Sequence, residues 1–185
     1  MSPVAGNKVE GALGPDDLFA FALALALGGG GDLPHTGLKP QGETMADKKK
    51  ILVVQGQGME MRGRVQVEIF GPETLDDINA MIQASAQLHG LEVDIYHSND
   101  EAEVVAYINA AQMDALIINP SGFTATTGPL PTALSELTCP IYEVHASNPT
   151  ARGVRSTLLP HCAGAVCGFG YAGYSMALGA LAAGG

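Results

Sequence analysis

From Lys50 onward, short apolar runs alternate with longer amphipathic stretches, and few folds satisfy that rhythm. Ile51-Leu52-Val53-Val54 is a continuous apolar run ending in Gln55-Gly56, the pattern of a strand buried on both faces. Thr74-Leu75-Asp76-Asp77 opens a helix to about residue 89, with Gly90 placed to stop it. Residues 91–96 alternate as a second strand, and Asn99-Asp100-Glu101 caps a helix to about residue 111. Residues 115–119 read as a third strand, followed by a loop over 120–129 and a helix to about residue 137. Pro140-Ile141 opens a fourth strand, residues 164–168 form a fifth, and residues 174–183 form a closing helix. Strands alternating with helices are joined by right-handed crossovers. The expected class is therefore α/β, with a parallel five-stranded sheet and helices on both faces.

In such a sheet ligands bind beyond the carboxyl ends of the strands. Gln55, Asn119 and His145 each end an apolar strand. In Ile141-Tyr142-Glu143-Val144-His145-Ala146-Ser147-Asn148 the period of two puts Glu143 and His145 on one face, with Ser147 just past the strand end. A carboxylate beside an imidazole fixes the ring tautomer and raises its basicity, which makes this a candidate acid/base pair. The same letters are equally consistent with a polar strand end satisfying its own hydrogen bonds.

Composition narrows the partners. The 185 residues are 46% apolar and 15% charged, enough for one domain with a packed core. A formal charge of −10 argues against a nucleic-acid or anionic-membrane surface and leaves small molecules or copies of the chain as partners. Cys139, Cys162 and Cys167 read as buried free thiols in a reducing compartment, and the expected location is cytoplasmic. No CxxC spacing occurs and the five histidines are scattered, so no metal is expected. Gly168-Phe169-Gly170 lacks the rest of a dinucleotide fingerprint, and no cofactor is implied. Residues 1–44 read as a flexible extension, a docking tail or an upstream misread, ahead of a domain at 45–185. Their apolar run at 18–27 is too short for a bilayer span and lacks the basic flank of a signal peptide.

Ile117-Ile118-Asn119-Pro120-Ser121-Gly122, the Glu143-to-Asn148 motif and Gly168-Phe169-Gly170-Tyr171-Ala172-Gly173-Tyr174 together resemble the type II 3-dehydroquinate dehydratases over about residues 51–181. The resemblance implies a flavodoxin-like three-layer sandwich with sheet order 2-1-3-4-5. It also implies a trimer-based homo-oligomer, expected as a dodecamer, and a lyase that removes water from a cyclic hydroxy-ketone acid through an enolate. By the same resemblance His145 protonates the departing hydroxyl and Glu143 orients it. Asn119, Ser147 and the Ala146 and Ser147 amides hold substrate, as do Arg152 and, in a stretch where this chain is shorter, Arg155.

The flap departs from the family pattern. Its opening stands here as Gln55-Gly56-Gln57-Gly58, Val65 occupies the place of a flap arginine, and Phe70 that of the catalytic tyrosine. Ala125 replaces a substrate-binding histidine, and Pro131-Thr132 an Arg-Asp pair. A phenyl ring carries no ionisable proton, so Phe70 cannot be a general base. Gln57, Glu60, Arg62 and Arg64 offer replacement polar groups, with Glu60 as a candidate base and Arg62 or Arg64 as an anion clamp. A charge-balanced surface loop would carry the same residues. Tyr171, in a glycine-rich turn, is a further candidate base. The leading expectation is a dehydratase-like enzyme with a changed carboxylic-acid substrate. A genuine 3-dehydroquinate dehydratase with an atypical flap, or a non-catalytic binding or scaffold oligomer, are the alternatives.

Overall fold

A computed structural model describes residues 48–184, so the extension expected at residues 1–44 lies outside the described residues. Five strands, β1 (Lys50–Gln57), β2 (Glu92–His97), β3 (Ala115–Ser121), β4 (Ile141–His145) and β5 (Gly164–Cys167), form one sheet in the order β2-β1-β3-β4-β5. Every pairing is parallel, with Val53 opposite Ile95 and Ile117, and Ile118 opposite Glu143. The flavodoxin-like α/β sandwich with order 2-1-3-4-5 is what the chain forms.

The helices are α1 (Val67–Phe70), α2 (Leu75–Leu88), α3 (Glu101–Ala110), α4 (Leu130–Ser135) and α5 (Ala172–Ala182). Because strand side chains alternate, the sheet supports two cores. Ile51, Val53, Ile117 and Val144 face Ile78 and Ile82 of α2 and Leu178 and Leu181 of α5. Leu52, Val54, Leu116, Ile118 and Ile141 face Val104 and Ile108 of α3 and Leu130 and Leu134 of α4. The central strands β1 and β3 are buried on both faces, which explains their unbroken apolar letters.

Local chemistry sets the ends. Thr74 and Asp77 form a reciprocal capping box at the start of α2, and Gly90 follows its end with φ of 68°. Asp100 caps α3 by accepting from the Ala102 and Glu103 amides. β1 and β3 run further than their apolar letters, because Gln57 still pairs with Ser121 beyond Asn119-Pro120. Ser121, with φ of 48°, then turns the chain away. α4 stops at Ser135, earlier than its pattern suggests. The three cysteines are free but half-buried rather than fully buried. Between β1 and α2 the flap contains a 3-10 turn at Met59–Met61 and the single turn α1. No helix among the described residues is long and apolar enough to cross a membrane.

Candidate active site

The carboxyl ends of β1, β3 and β4 open into a cavity of about 440 Å³. Gln57, Arg62 and Phe70 from the flap, Asn119, Ser121 and Ala125 from β3 and its loop, and His145, Ala146, Ser147 and Arg152 from β4 and the following turn contribute to its wall. A second hollow of about 580 Å³ lies at the amino ends of β1 and β2, around Lys50, Glu92, Asp94 and Tyr107. No histidine among the described residues lines it, whereas His145 lines the first.

Alternation along β4 does place Glu143 and His145 together. His145 Nε2 and Glu143 Oε1 are hydrogen-bonded, with the Glu143 side chain fully buried and the His145 side chain 8% exposed. The other carboxylate oxygen, Oε2, accepts from the Ser156 hydroxyl at 2.9 Å. Ser156 Oγ in turn accepts from the Leu158 and Leu159 amides, so its proton is directed at Glu143. A carboxylate satisfied in this way holds the imidazole with Nε2 as donor and leaves Nδ1 for a ligand. Cys162 Sγ also lies 4.0 Å from Oε2. Burial first, and then the nearby Glu143 charge, push that thiol up to about 12, which makes it inert at neutral pH.

Asn119 is fixed from the other side of the sheet. The Tyr174 hydroxyl donates to Gln55 Oε1 at 2.6 Å and therefore accepts from Asn119 Nδ2 at 3.0 Å. The Asn119 carboxamide oxygen is thus the group free to meet a ligand. Gln55 does not join it. Its side chain is fully buried, closes onto Tyr174 and Asn79, and lies behind the cavity wall, so two of the three polar strand ends reach the site.

The charged flap and turn residues divide sharply. Arg62 is 8% exposed, donates from Nη2 to Ser121 Oγ at 2.9 Å, and lays its guanidinium over the Phe70 ring with Cζ 3.7 Å from the ring centre. Burial draws its pKa below the usual arginine range, and Arg152 works in the same direction. It remains a cation at neutral pH. Arg152 donates from Nη2 to Ser147 Oγ at 2.9 Å, and its Cζ lies 5.5 Å from the same ring centre.

Glu60, Arg64 and Arg155 do not line the cavity. Glu60 turns to the β2 end, accepting from Asn99 Nδ2 at 2.9 Å and pairing with His97 at 3.2 Å. Slight desolvation is outweighed there by those partners, which hold its carboxyl below the ordinary value and so make it a poor base. Arg64 and Arg155 are exposed, the latter because Gly153, with φ of 76°, reverses the chain after Arg152. Tyr171 is also outside the wall. Its hydroxyl is buried with no hydrogen-bond partner among the described residues, and burial raises its pKa against the opposing pull of Arg62, the reverse of what a base requires. Asn99 is a flap anchor: besides holding Glu60, its Oδ1 accepts from the Gly58 amide at 2.8 Å.

A family model described as dehydroquinase class II matches residues 49–182. The chain belongs to the class II dehydroquinase family. A 3-dehydroquinate dehydratase of Shewanella sp. (strain ANA-3) is 38% identical over 134 residues, covering 71% of this chain and 93% of that relative. The crystal structure of a type II dehydroquinase from Propionibacterium acnes matches with a TM-score of 0.70 at 32% identity, covering 74% of this chain and 97% of the other. One from Butyrivibrio crossotus DSM 2876 matches with a TM-score of 0.70 at 29% identity, covering 74% and 99%. A dehydroquinase domain thus spans nearly all the described residues, and His145, backed by the buried Glu143, lines its cavity.

Proposed function

We propose that this chain is a hydro-lyase that removes water from a small cyclic hydroxy-oxo acid, and that 3-dehydroquinate, for which its relatives are named, is that substrate. The observation that carries this reading is the buried Glu143–His145 pair presenting Nδ1 to a cavity that also holds two guanidinium groups. Arg152 and Ser147 suit a substrate carboxylate, as a guanidinium and a hydroxyl do in charge-assisted pairs. The Asn119 oxygen suits a substrate hydroxyl.

Among the described residues of the wall, His145 carries the one imidazole, a side chain able both to take and to give a proton, whereas Phe70 has no ionisable proton. On this reading Nδ1 takes the proton next to the ketone and then gives it to the β-hydroxyl. One C–H and one C–O bond break, a C=C bond forms, and water departs. Glu143 stabilises the imidazolium between the two steps.

The test is the rise in ultraviolet absorbance from the conjugated enone product when the full chain meets 3-dehydroquinate. A steady rise proportional to protein is expected, and its absence would remove 3-dehydroquinate as the substrate. Phe70, where the resemblance implies a tyrosine, favours a second reading: the same reaction on a less hydroxylated carboxylic acid. In that case 3-dehydroquinate gives no signal, while another cyclic carboxylate raises the melting temperature by binding only the native state.

Ser156 is a positioning residue in this scheme. Ser156→Ala removes the donor on Glu143 Oε2 and should lower kcat about tenfold with KM little changed. Ser156→Thr, which keeps the hydroxyl, should recover most of the loss. An Ala variant with wild-type kcat would show that Glu143 orients His145 unaided.

A further inference from the structure

Arg62 and Arg152 approach the same Phe70 ring, and neither has a carboxylate partner among the described residues, in a chain with a formal charge of −10. A guanidinium withdrawn from bulk water and set near another cation is destabilised by both burial and repulsion, and an anion between or beside them relieves both. The two are not equivalent. Arg152 is exposed and tied to Ser147 at the end of β4, whereas Arg62 is nine-tenths buried and held to Ser121 at the end of β3. Each spends one Nη2–H on a serine, leaving donors of its planar fork for a ligand.

We infer that Arg62 and Ser121 form a second anion subsite, separate from the Arg152–Ser147 cradle, and that this cavity selects ligands bearing two anionic oxygen groups on one small ring. Both guanidiniums lie against the Phe70 ring, which itself lines the cavity between the flap and the strand ends. The second anionic oxygen is either an enolate formed from a ketone during the reaction or a second carboxylate carried by the substrate. The inference rests on the reading of the cavity as a carboxylate site. It assigns Arg62 the ligand's second charge, while Arg152 keeps the first.

Calorimetric titration of the full chain at fixed ionic strength, with cyclohexanecarboxylate and cis-cyclohexane-1,3-dicarboxylate as probes, tests it. The dicarboxylate should bind about tenfold or more tightly than the monocarboxylate. Arg62→Met should erase that advantage while leaving monocarboxylate affinity within about twofold, and Arg152→Met should weaken both ligands. Equal wild-type affinities, or an advantage that survives Arg62→Met, overturns the second subsite. The wild-type comparison decides the matter even if the Met variant does not fold. Binding of neither probe overturns the carboxylate reading along with the inference. Turnover of 3-dehydroquinate without a dicarboxylate preference overturns the inference alone, and the preference without that turnover overturns only the substrate assignment. Where 3-dehydroquinate is turned over, a fall in kcat with unchanged KM in Arg62→Met identifies the enolate as the second anion. A rise in KM identifies a group already charged in the substrate.

Discussion

His145→Ala should reduce turnover of 3-dehydroquinate by a factor of roughly 100 to 10,000, the span that a positioned acid/base group supplies. The upper end is the better expectation, because this ring is asked to handle both the proton leaving carbon and the proton joining the departing hydroxyl. The residual rate would come from the arginine and serine cradles, which orient the substrate without exchanging protons. Glu143→Gln provides the contrast. The amide retains the volume and can still accept from Nε2, but it no longer stabilises the imidazolium that forms in mid-reaction. Its kcat should therefore fall by about tenfold or more while substrate affinity, read by titration, changes little. His145→Ala should bind substrate nearly as well as wild type, since the carboxylate is held by Arg152 and Ser147. An alanine variant that retained wild-type kcat would dismantle the assignment. One that lost binding and turnover in equal measure would recast His145 as a recognition group.

The contrast between what the letters reveal and what they conceal follows from where regular periodicity ends. The sheet was readable because β1 and β3 are apolar on both faces and each helix carries its own start or stop chemistry, as at Thr74-Asp77 and Gly90. The Glu143–His145 pair was readable for the same reason, since two residues apart on a strand means one face. Gln55 and Asn119 have the same local signature and opposite fates. The difference comes from Tyr174, more than a hundred residues after Gln55, whose hydroxyl captures both side chains and leaves only Asn119 at the cavity.

In the flap there is no period to use. Glu60, Arg62 and Arg64 are evenly spaced, but the 3-10 turn at Met59–Met61 sends Glu60 toward His97 and Arg62 over Phe70, with Arg64 left in solvent. Arg152 and Arg155 are separated likewise by the left-handed Gly153. Ser156 carries only a weak local signal, a serine two and three residues before the amides that donate to its hydroxyl. Its bond to Glu143 spans an irregular connection that spacing cannot resolve.

Gly56→Ala is expected to cost more than about 3 kcal/mol, and it joins the sheet to the site in a single position. Gly56 lies in β1 beside β3, and a Cβ built there would overlap the Pro120 carbonyl oxygen, with the Pro120 carbonyl carbon 2.6 Å and its Cα 3.0 Å away. All three atoms are backbone, held by the β1–β3 pairing that continues from Gln55–Asn119 to Gln57–Ser121. No side chain can swing aside, so one of the two central strands must shift. Asn119 and Ser121 flank Pro120, and the same displacement would move the cavity-lining amide and the partner of Arg62. Gly164→Ala at the start of β5 is the matched control. There the added methyl meets only the Tyr142 ring, at 3.5 Å, an ordinary contact, and should cost less than about 1 kcal/mol. Urea unfolding followed by circular dichroism should show a large drop in midpoint for Gly56→Ala, or no cooperative transition at all, against a small one for Gly164→Ala. If the Gly56 variant unfolds at the wild-type midpoint and still binds carboxylates normally, the strands around Pro120 are loose. The close approach of β1 to β3 would then not be what positions the cavity floor.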